Sequence, residues 1–591
     1  MKLIIVESPS KAATIQKYVG DDYIVEATRG HIVDLGKGGT GGIGIDIEKG
    51  FKPFYVIMKD KLGTLDTLIQ ASEKVDEILL ASDKDREGEA IAYHVQNRLE
   101  TSGKPMSRVI FNEITKKGIS DGLKNKRPIN MSMFRAQESR RILDRIVGFM
   151  VSPFLINFYG PNLSAGRVQS VAVRMIVDRE QEITSFKPEE FWNIFAKFST
   201  PNKETFVAKC TAKPKNKEQA DTLVQAIKEQ AEFFVNRIVS QEKREKPCAP
   251  LTTASLQQYM AKKYSFEPDK TMKIAQTLYE NGFCTYIRTD STRTSAEAIT
   301  AVRDWIKEKF DIPGKPNVYA TKAAAQDAHE CIRPTNIKNI PEDSILKGDE
   351  KDVYTAIWQH FVASQMCPAI WDTMQVSITA SHNPKISFNI SGKALKSPGY
   401  LEIFGDIDPG KIEIPNLQEQ NIVVLTGDNA IKTEQKFTQP SPRYNDASIV
   451  KELETKQIGR PATYAEIIKK ITARNYVEKQ NNTYRPTELG KKITNILTNL
   501  FPFMEYKYTA ELEKKLDDIE SGDLEQLNML KEFFIPFKEQ LNKAYVSNGS
   551  TLCDKCGSPM TMRTNSKDQV KFMACSAFPI CRNTQTIVVK D

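Results

Sequence analysis

The first 130 residues alternate short apolar runs with amphipathic stretches. Leu3 to Val6 is apolar, stops at Glu7-Ser8, and leads into helical spacing from Ser10 to Tyr18. A second run, Ile78 to Ala81, stops in a burst of acids and is followed by Ala90, Ile91, His94, Val95 and Leu99 at helical intervals. Strand, turn and helix in repetition predict an open α/β sheet, whose ligands sit beyond the carboxyl ends of the strands. Both acidic turns fall at such ends. From Asn130 to Arg179 the spacing is helical, with Ile142, Leu143, Ile146, Val147 and Met150 on one stripe and Arg141, Asp144 and Arg145 on an exposed, basic face.

Residues alternate from Phe191 to Val239 and again from Trp371 to Lys432, which predicts two β-rich pieces separated by a helical block. In that block, Asp269 is expected to cap a helix that runs to Glu280 and ends at Asn281-Gly282, ahead of a short strand from Phe283 to Thr289. Helices resume beyond Pro440, and Val477 to Tyr484, around Asn481-Asn482, predicts a hairpin wing after two helices. A polar hinge, Val546 to Thr551, leads to a cysteine cluster.

At roughly 150 residues per domain, 591 residues predict about four domains. The excess of 83 basic over 75 acidic residues suits a polyanionic partner without requiring one. No apolar run approaches the ~18 to 20 residues of a membrane span, and Leu3 to Val6 behind Lys2 is too short for a signal peptide. A soluble, intracellular protein with no membrane partner is expected. Of nine cysteines, Cys210, Cys248, Cys284, Cys331 and Cys367 are scattered, and four crowd between Cys553 and Cys581. That clustering points to metal and not to a disulfide framework.

Asp83-Lys-Asp85-Arg-Glu87 sets three carboxylates at alternate positions in one turn, where their repulsion calls for a cation; all-oxygen ligands suit Mg²⁺. A calcium loop is rejected because its twelfth position would be His94 in place of a bidentate Glu. The plainer alternative is a helix-capping acidic turn. Glu7 favours the metal, since it ends the neighbouring strand. Gly36 to Gly44 contains a GxGxxG string twice, but a strand-like Ile43, Ile45, Ile47 pattern follows where a dinucleotide loop must open a helix, so a mobile glycine loop is expected. No GxxxxGK[ST] occurs, which argues against an ATP-driven P-loop motor.

Alternation from Phe283 to Thr289 puts Tyr286 and Arg288 on one face, within reach of a single phosphate. A tyrosine hydroxyl, with a free pKa near ~10, needs cationic help to act as a nucleophile. His329 and Arg333 are further candidates for phosphate handling. Cys553-x2-Cys556, then Cys575-x5-Cys581, supplies two thiolate pairs for tetrahedral Zn²⁺, with Phe572, Phe578, Lys571 and Arg582 offering stacking and phosphate contacts.

Five segments in order resemble bacterial type IA DNA topoisomerase I: Leu3 to Lys11, Ser82 to Ala90, Leu163 to Ser170, Thr285 to Ser291 and Ile458 to Tyr464. The resemblance runs from Met1 to about Gly522, and the cysteine cluster resembles the family's C-terminal zinc modules. It implies a multidomain α/β plus α and β fold: a Toprim domain at 1–128, a helical DNA-binding domain at 129–187 and 439–545, a β-rich arch at 188–248 and 370–438, the tyrosine-bearing domain at 249–369, and a zinc ribbon at 551–588. It implies ATP-independent relaxation of negatively supercoiled DNA by a monomer, through a 5′-phosphotyrosine on Tyr286, in the cytoplasm and with the nucleoid of a bacterial host. Glu7 would handle the leaving-group proton, Lys11 and Arg288 the phosphate, with His329 assisting, and Glu7, Asp83, Asp85 and Glu87 would hold Mg²⁺. Single-stranded DNA would meet His31, Arg140, Arg141, Asp144, Ser164, Ala165, Gly166, Arg167, Val168, Gln169, Arg288 and Arg460. The glycine-rich loop and the single cysteine cluster depart from the family pattern. Rival readings are a Toprim-type metal nuclease and a non-catalytic DNA-binding protein.

Overall fold

The computed structural model describes residues 1–320, 330–405, 407–411, 413–565, 569–578 and 581–586. The N-terminal unit is built from β1 (Lys2–Val6), α1 (Pro9–Val19), β2 (Tyr23–Ala27), β3 (Glu77–Leu80), α2 (Arg86–Leu99) and β4 (Met106–Arg108). Its sheet has the order β2-β1-β3-β4 with every pairing parallel. The uninterrupted apolar run of β1 follows from this: Leu3 and Ile5 enter the core on one face, Ile4 and Val6 the core on the other. Each acidic turn becomes a helix start. Ser8 caps α1 by accepting the Lys11 N–H, and Asp85 caps α2 by accepting the Gly88 N–H at 2.9 Å.

Between β2 and β3 an insertion pairs Val33–Leu35 with Tyr55–Ile57 and Ile45–Asp46 with Lys52–Pro53. The glycine segment within it is a packed turn and not the free loop expected. Gly44 N–H donates to the Gly38 carbonyl at 2.7 Å. At Gly39, φ is +74° and a Cβ would collide with the Ile45 backbone, so the turn closes only on glycine. Leu35, Ile43, Ile45 and Phe51 are buried in the core of the helical unit that follows, with Phe51 edge-on to Phe534 at 5.6 Å.

That helical unit joins α3 (Met131–Tyr159) and α4 (Gln169–Ser185) to the C-terminal helices Asp446–Thr455, Tyr464–Ala473, Glu488–Leu500, Tyr506–Ser521 and Gln526–Ser547. The stripe of α3 is buried at Ile142, Leu143, Ile146 and Val147 and partly buried at Met150. Contrary to the sequence reading, α3 holds an 18-residue window apolar enough to cross a membrane. Its apolar face is instead occupied by this core. The Asn-Asn signal yields its hairpin, Val477–Gln480 against Thr483–Pro486, with φ of 48° at Asn481 and 57° at Asn482 as a two-residue turn requires.

The two β-rich pieces form one sheet that closes on itself. Thr205–Cys210 pairs with both Glu190–Ser199 and Ser387–Ser397, and the ring continues through Ala369–Ala380, Phe233–Glu245 and Ile422–Leu425. Phe198, Phe206, Phe233 and Phe388 fill it.

The helical block between the β pieces comprises Thr253–Tyr264, Pro268–Glu280, Ala296–Lys307 and Gly348–Ser364. Its core is continuous with Ile4, Val6, Ala12 and Ile15 of the N-terminal unit. Two expectations fail here. Pro268 opens its helix behind Glu267, leaving Asp269 in the first turn on Lys273. Residues Phe283 to Thr289 bend at Phe283, Thr285 and Ile287 and pair only through a single bridge from Cys284 to Pro334, because their N–H groups are taken by surrounding segments: Thr285 donates to the Arg333 carbonyl, Tyr286 to the Asn112 carbonyl and Thr289 to Thr253 Oγ1.

The helix Gln526–Ser547 consumes the start of the predicted hinge. The C-terminal module is a three-stranded antiparallel sheet, Met560–Thr564, Lys571–Cys575 and Thr584–Thr586. It rests on the body through Asn542, whose amide donates to the Gly557 carbonyl at 3.2 Å, and through the close approach of Gly41 to the Ser576 carbonyl.

Candidate active site

Tyr286 and Arg288 converge on one carboxylate from the neighbouring unit. The Tyr286 hydroxyl donates to Asp85 Oδ2 at 2.7 Å, and Arg288 Nη1 donates to the same oxygen at 3.0 Å. Both side chains reach the same oxygen, so the predicted shared face is realised without a strand ladder. The Tyr286 ring is 5% exposed and packs edge-on to Tyr279 at 5.3 Å. Burial, then the Asp85 charge, holds its hydroxyl well above the usual phenol range. Asp85 stays below the usual carboxylate range; burial opposes this, and Arg288 and the tyrosine hydroxyl outweigh it.

One strand away, Glu7 and Asp83 share a buried lysine. Lys11 Nζ lies 2.9 Å from Glu7 Oε1 and 3.0 Å from Asp83 Oδ1. The other Glu7 oxygen accepts the Asp83 N–H at 3.1 Å. Burial, and then the adjacent Asp83 charge, pushes Glu7 up to about 8. Lys11 is raised against the effect of its own burial by Asp83 and Glu7, so it stays charged. Beneath this turn, fully buried Arg108 donates to the Leu80, Ser82 and Asp83 carbonyls and pairs with buried Glu89 at 2.9 Å. The acidic turn is thus clamped from below.

Glu87 faces the other way, accepting from Gln137 at 3.1 Å and contacting His31 Nε2 at 3.0 Å. Burial works against its charge, but the His31 hydrogen bond keeps it below the ordinary range. Asp85, Glu87, Arg140, Arg288 and Arg460 line a cavity of about 270 Å³, and His31, Glu87, Arg140, Arg141 and Asp144 line an adjoining one of about 320 Å³. The track is cationic, but its guanidinium groups are already partnered. Arg141 pairs with Asp34 at 2.5 Å, and Arg460 with Asp517 at 2.5 Å.

The structure corrects part of the predicted DNA set. Ala165, Arg167 and Val168 are buried and present no side chain to the track. Arg167, wholly enclosed, lies 2.7 Å from buried Glu513 and donates to Asp144 at 3.1 Å, so it positions Asp144. Ser164 is tied to the Tyr476 hydroxyl through its N–H at 2.8 Å and its carbonyl at 3.0 Å, Gly166 N–H donates to Ser170 Oγ, and Gln169 opens α4. His329 lies outside the described residues.

The four carboxylates expected to hold Mg²⁺ do not meet at one point: Asp85 holds the Tyr286 hydroxyl, Glu7 and Asp83 share Lys11, and Glu87 turns to His31 and Gln137. Among the described residues, only Cys553, Cys556, Cys575 and Cys581 bring ligand atoms within 4.8 Å of one another. All-oxygen donors set apart fit a hydrated Mg²⁺ that keeps its own water. The cysteines fit Zn²⁺ more tightly. Cys556 Sγ is 3.3 Å from Cys575 Sγ and Cys553 Sγ 3.7 Å from Cys581 Sγ, near the ~3.8 Å edge of a tetrahedron with ~2.3 Å Zn–S bonds. A closed four-sulfur site of this kind is structural.

Sequence reasoning missed Asp517, Glu513, Gln137 and Asn112. It also passed over Arg86, the one that carried a signal, standing inside the acidic turn. The others are single polar residues on helices or loops, whose proximity comes only from long-range packing.

Comparison with known proteins agrees with this geometry. A family model described as DNA topoisomerase matches residues 128–531, the Toprim domain model matches 2–114, and a topoisomerase DNA-binding C4 zinc finger model matches 550–589. The solved structure of full-length topoisomerase I from Thermotoga maritima is similar over 100% of this chain and 98% of its own, at 34% identity and a TM-score of 0.80. The chain therefore belongs to the bacterial type IA DNA topoisomerases: a Toprim enzyme with Mg²⁺ and Zn²⁺ as its metals, which acts on DNA in the cytoplasm and relaxes it by single-strand cleavage.

Proposed function

We propose that Tyr286 is the nucleophile, forming a 5′-phosphotyrosine on single-stranded DNA and freeing a 3′-hydroxyl, and that religation after strand passage relaxes negative supercoils without ATP. The observation that carries this is the meeting of the Tyr286 hydroxyl and the Arg288 guanidinium on Asp85, beside the Glu7, Lys11 and Asp83 cluster. A new bond forms from Tyr286 Oη to phosphorus as the bond from phosphorus to the 3′-oxygen breaks. Asp85 accepts the tyrosine proton, and Glu7, protonated at neutral pH, supplies one to the departing oxygen. Lys11 and Arg288 offset the charge on the phosphate. Among the chain's acids, Glu7, Asp83, Asp85 and Glu87 are the ones to hold Mg²⁺, whose charge supplies further stabilisation of phosphate oxygens. The single strand runs past Arg140, Arg141 and Arg460, with His31 at its side, through phosphate contacts that tolerate sequence. The protein works as a monomer, with the nucleoid, and is divided at the domain boundaries predicted from its sequence.

The test is denaturant trapping on end-labelled single-stranded DNA, followed by peptide mapping. A 5′-phosphoryl adduct on Tyr286 is expected. Cleavage that leaves no adduct would refute the transesterification reading in favour of a nuclease.

A further inference from the structure

Asp517, on the helix Tyr506–Ser521, joins two arginines from separate units. Arg86, seated between Asp85 and Glu87, donates to Asp517 Oδ1, and its Nε goes to Glu520. Arg460 donates to Asp517 Oδ2 through Nε at 3.2 Å and Nη2 at 2.5 Å. All three line the 270 Å³ cavity together with Arg140 and Arg288. Arg86 Nη1 is buried there with no hydrogen-bond partner among the described residues.

A carboxylate and a phosphodiester present the same thing to a guanidinium: two anionic oxygens with a matching bite. Arg86 and Arg460 meet at Asp517, Glu520 takes the Arg86 Nε, and one buried donor, Arg86 Nη1, still finds no acceptor among the described residues. An orphaned buried donor is costly, and a phosphate oxygen would satisfy it.

We propose that Asp517 is a stand-in anion. It holds Arg86 and Arg460 at the groove in the attitude they need, and a backbone phosphate of the bound strand displaces it from Arg460 first. The inference rests on the reading of this groove as a single-strand track. Asp517 is a positioning residue: it keeps the groove assembled when empty, and by competing for the arginines it limits how tightly the strand is held, which favours release after rejoining.

Equilibrium binding of a fluorescent single-stranded oligonucleotide across a salt series tests this in full-length Tyr286→Phe, a background that blocks cleavage. Adding Asp517→Asn removes the competing charge and keeps the shape. Affinity is expected to rise about tenfold, and the slope of log K against log salt to steepen by about 0.7, the value for one more single-strand phosphate contact, made by Arg86 once Asp517 no longer holds it. Asp517→Glu should restore the parent behaviour. Equal or weaker binding with an unchanged slope would overturn the inference and leave Asp517 a structural clasp. If Asp517→Asn does not fold, Arg460→Gln decides instead: a slope flatter by about 0.7 supports the inference, and an unchanged slope refutes it. Failure of the parent itself to bind the oligonucleotide would overturn the single-strand reading and the inference with it.

Discussion

Asp85 Oδ2 accepts hydrogen bonds from both the Tyr286 hydroxyl and Arg288 Nη1, at 2.7 and 3.0 Å. One carboxylate oxygen thus fixes the proposed nucleophile and the cation that would support it, across the contact between the Toprim unit and the tyrosine-bearing block. An acid expected to serve as a metal ligand is, in this conformation, the tyrosine's partner. Replacing Asp85 with Asn keeps the shape but removes the proton acceptor. Single-turnover cleavage is expected to slow by about 10²-fold or more, read as covalent adduct against time, with oligonucleotide binding little changed.

Tyr286→Phe should abolish the covalent adduct altogether. The ring keeps its contact with Tyr279, and the lost hydrogen bond costs only about 1 kcal/mol of stability, so thermal unfolding should show a small shift. Normal relaxation by this variant would remove Tyr286 from the mechanism.

Glu7, pushed up to about 8 by burial and Asp83, retains its proton at neutral pH. Cleavage that draws on this proton should be fast below that value and decline as pH rises through it. Glu7→Gln should flatten that limb of the pH–rate profile. The sign for stability is the same: a carboxyl whose folded value is raised favours the native state below its unfolded value near ~4.3, and that contribution fades as pH climbs to about 8.

Glu513 and Arg167 are both fully buried and lie 2.7 Å apart. Arg167, then Arg140 and Arg460, hold Glu513 far below the ordinary carboxylate range against the effect of burial. Its contribution is therefore complete above the unfolded value near ~4.3 and is lost as pH falls below it. Glu513→Gln leaves the buried Arg167 guanidinium with Asp144 but without its enclosed counter-charge and should cost about 3 kcal/mol in denaturant unfolding, with a shallower acid dependence than the parent.

Removal of Zn²⁺ by a chelator, or Cys553→Ala with Cys556→Ala, should unfold the C-terminal module, whose buried core is little more than Cys553, Met560 and Cys575. Relaxation should suffer more than oligonucleotide cleavage. Equal relaxation by the zinc-free protein would make the module dispensable.

The elements legible in the sequence are those decided by local rules. Leu3–Val6 and the helix that follows it, the α3 stripe, the Asn-Asn hairpin and the cysteine spacing each needed only a few neighbouring residues. Phe283 to Thr289 reads as a strand because alternation looks the same whether or not a partner strand exists, and here loops supply the partners. The glycine turn hides for a similar reason: Ile43 and Ile45 bury themselves in a core contributed by helices that begin more than eighty residues away. Arg167 stands in a segment matched to DNA contacts, but only the fold reveals that Glu513 encloses it.

The tyrosine segment leans on the N-terminal unit through its backbone as well. Tyr286 N–H donates to the Asn112 carbonyl, the Tyr279 hydroxyl donates to the Phe111 carbonyl, and Gly282, at φ +80°, comes so close to the Ile114 carbonyl that a side chain would collide. Tyr286 and the acids beside it therefore come from separate chain segments and meet only where these two units touch. Any movement wide enough to admit a second strand takes the reaction centre apart, so passage and bond-making exclude each other in time, like the two doors of an airlock.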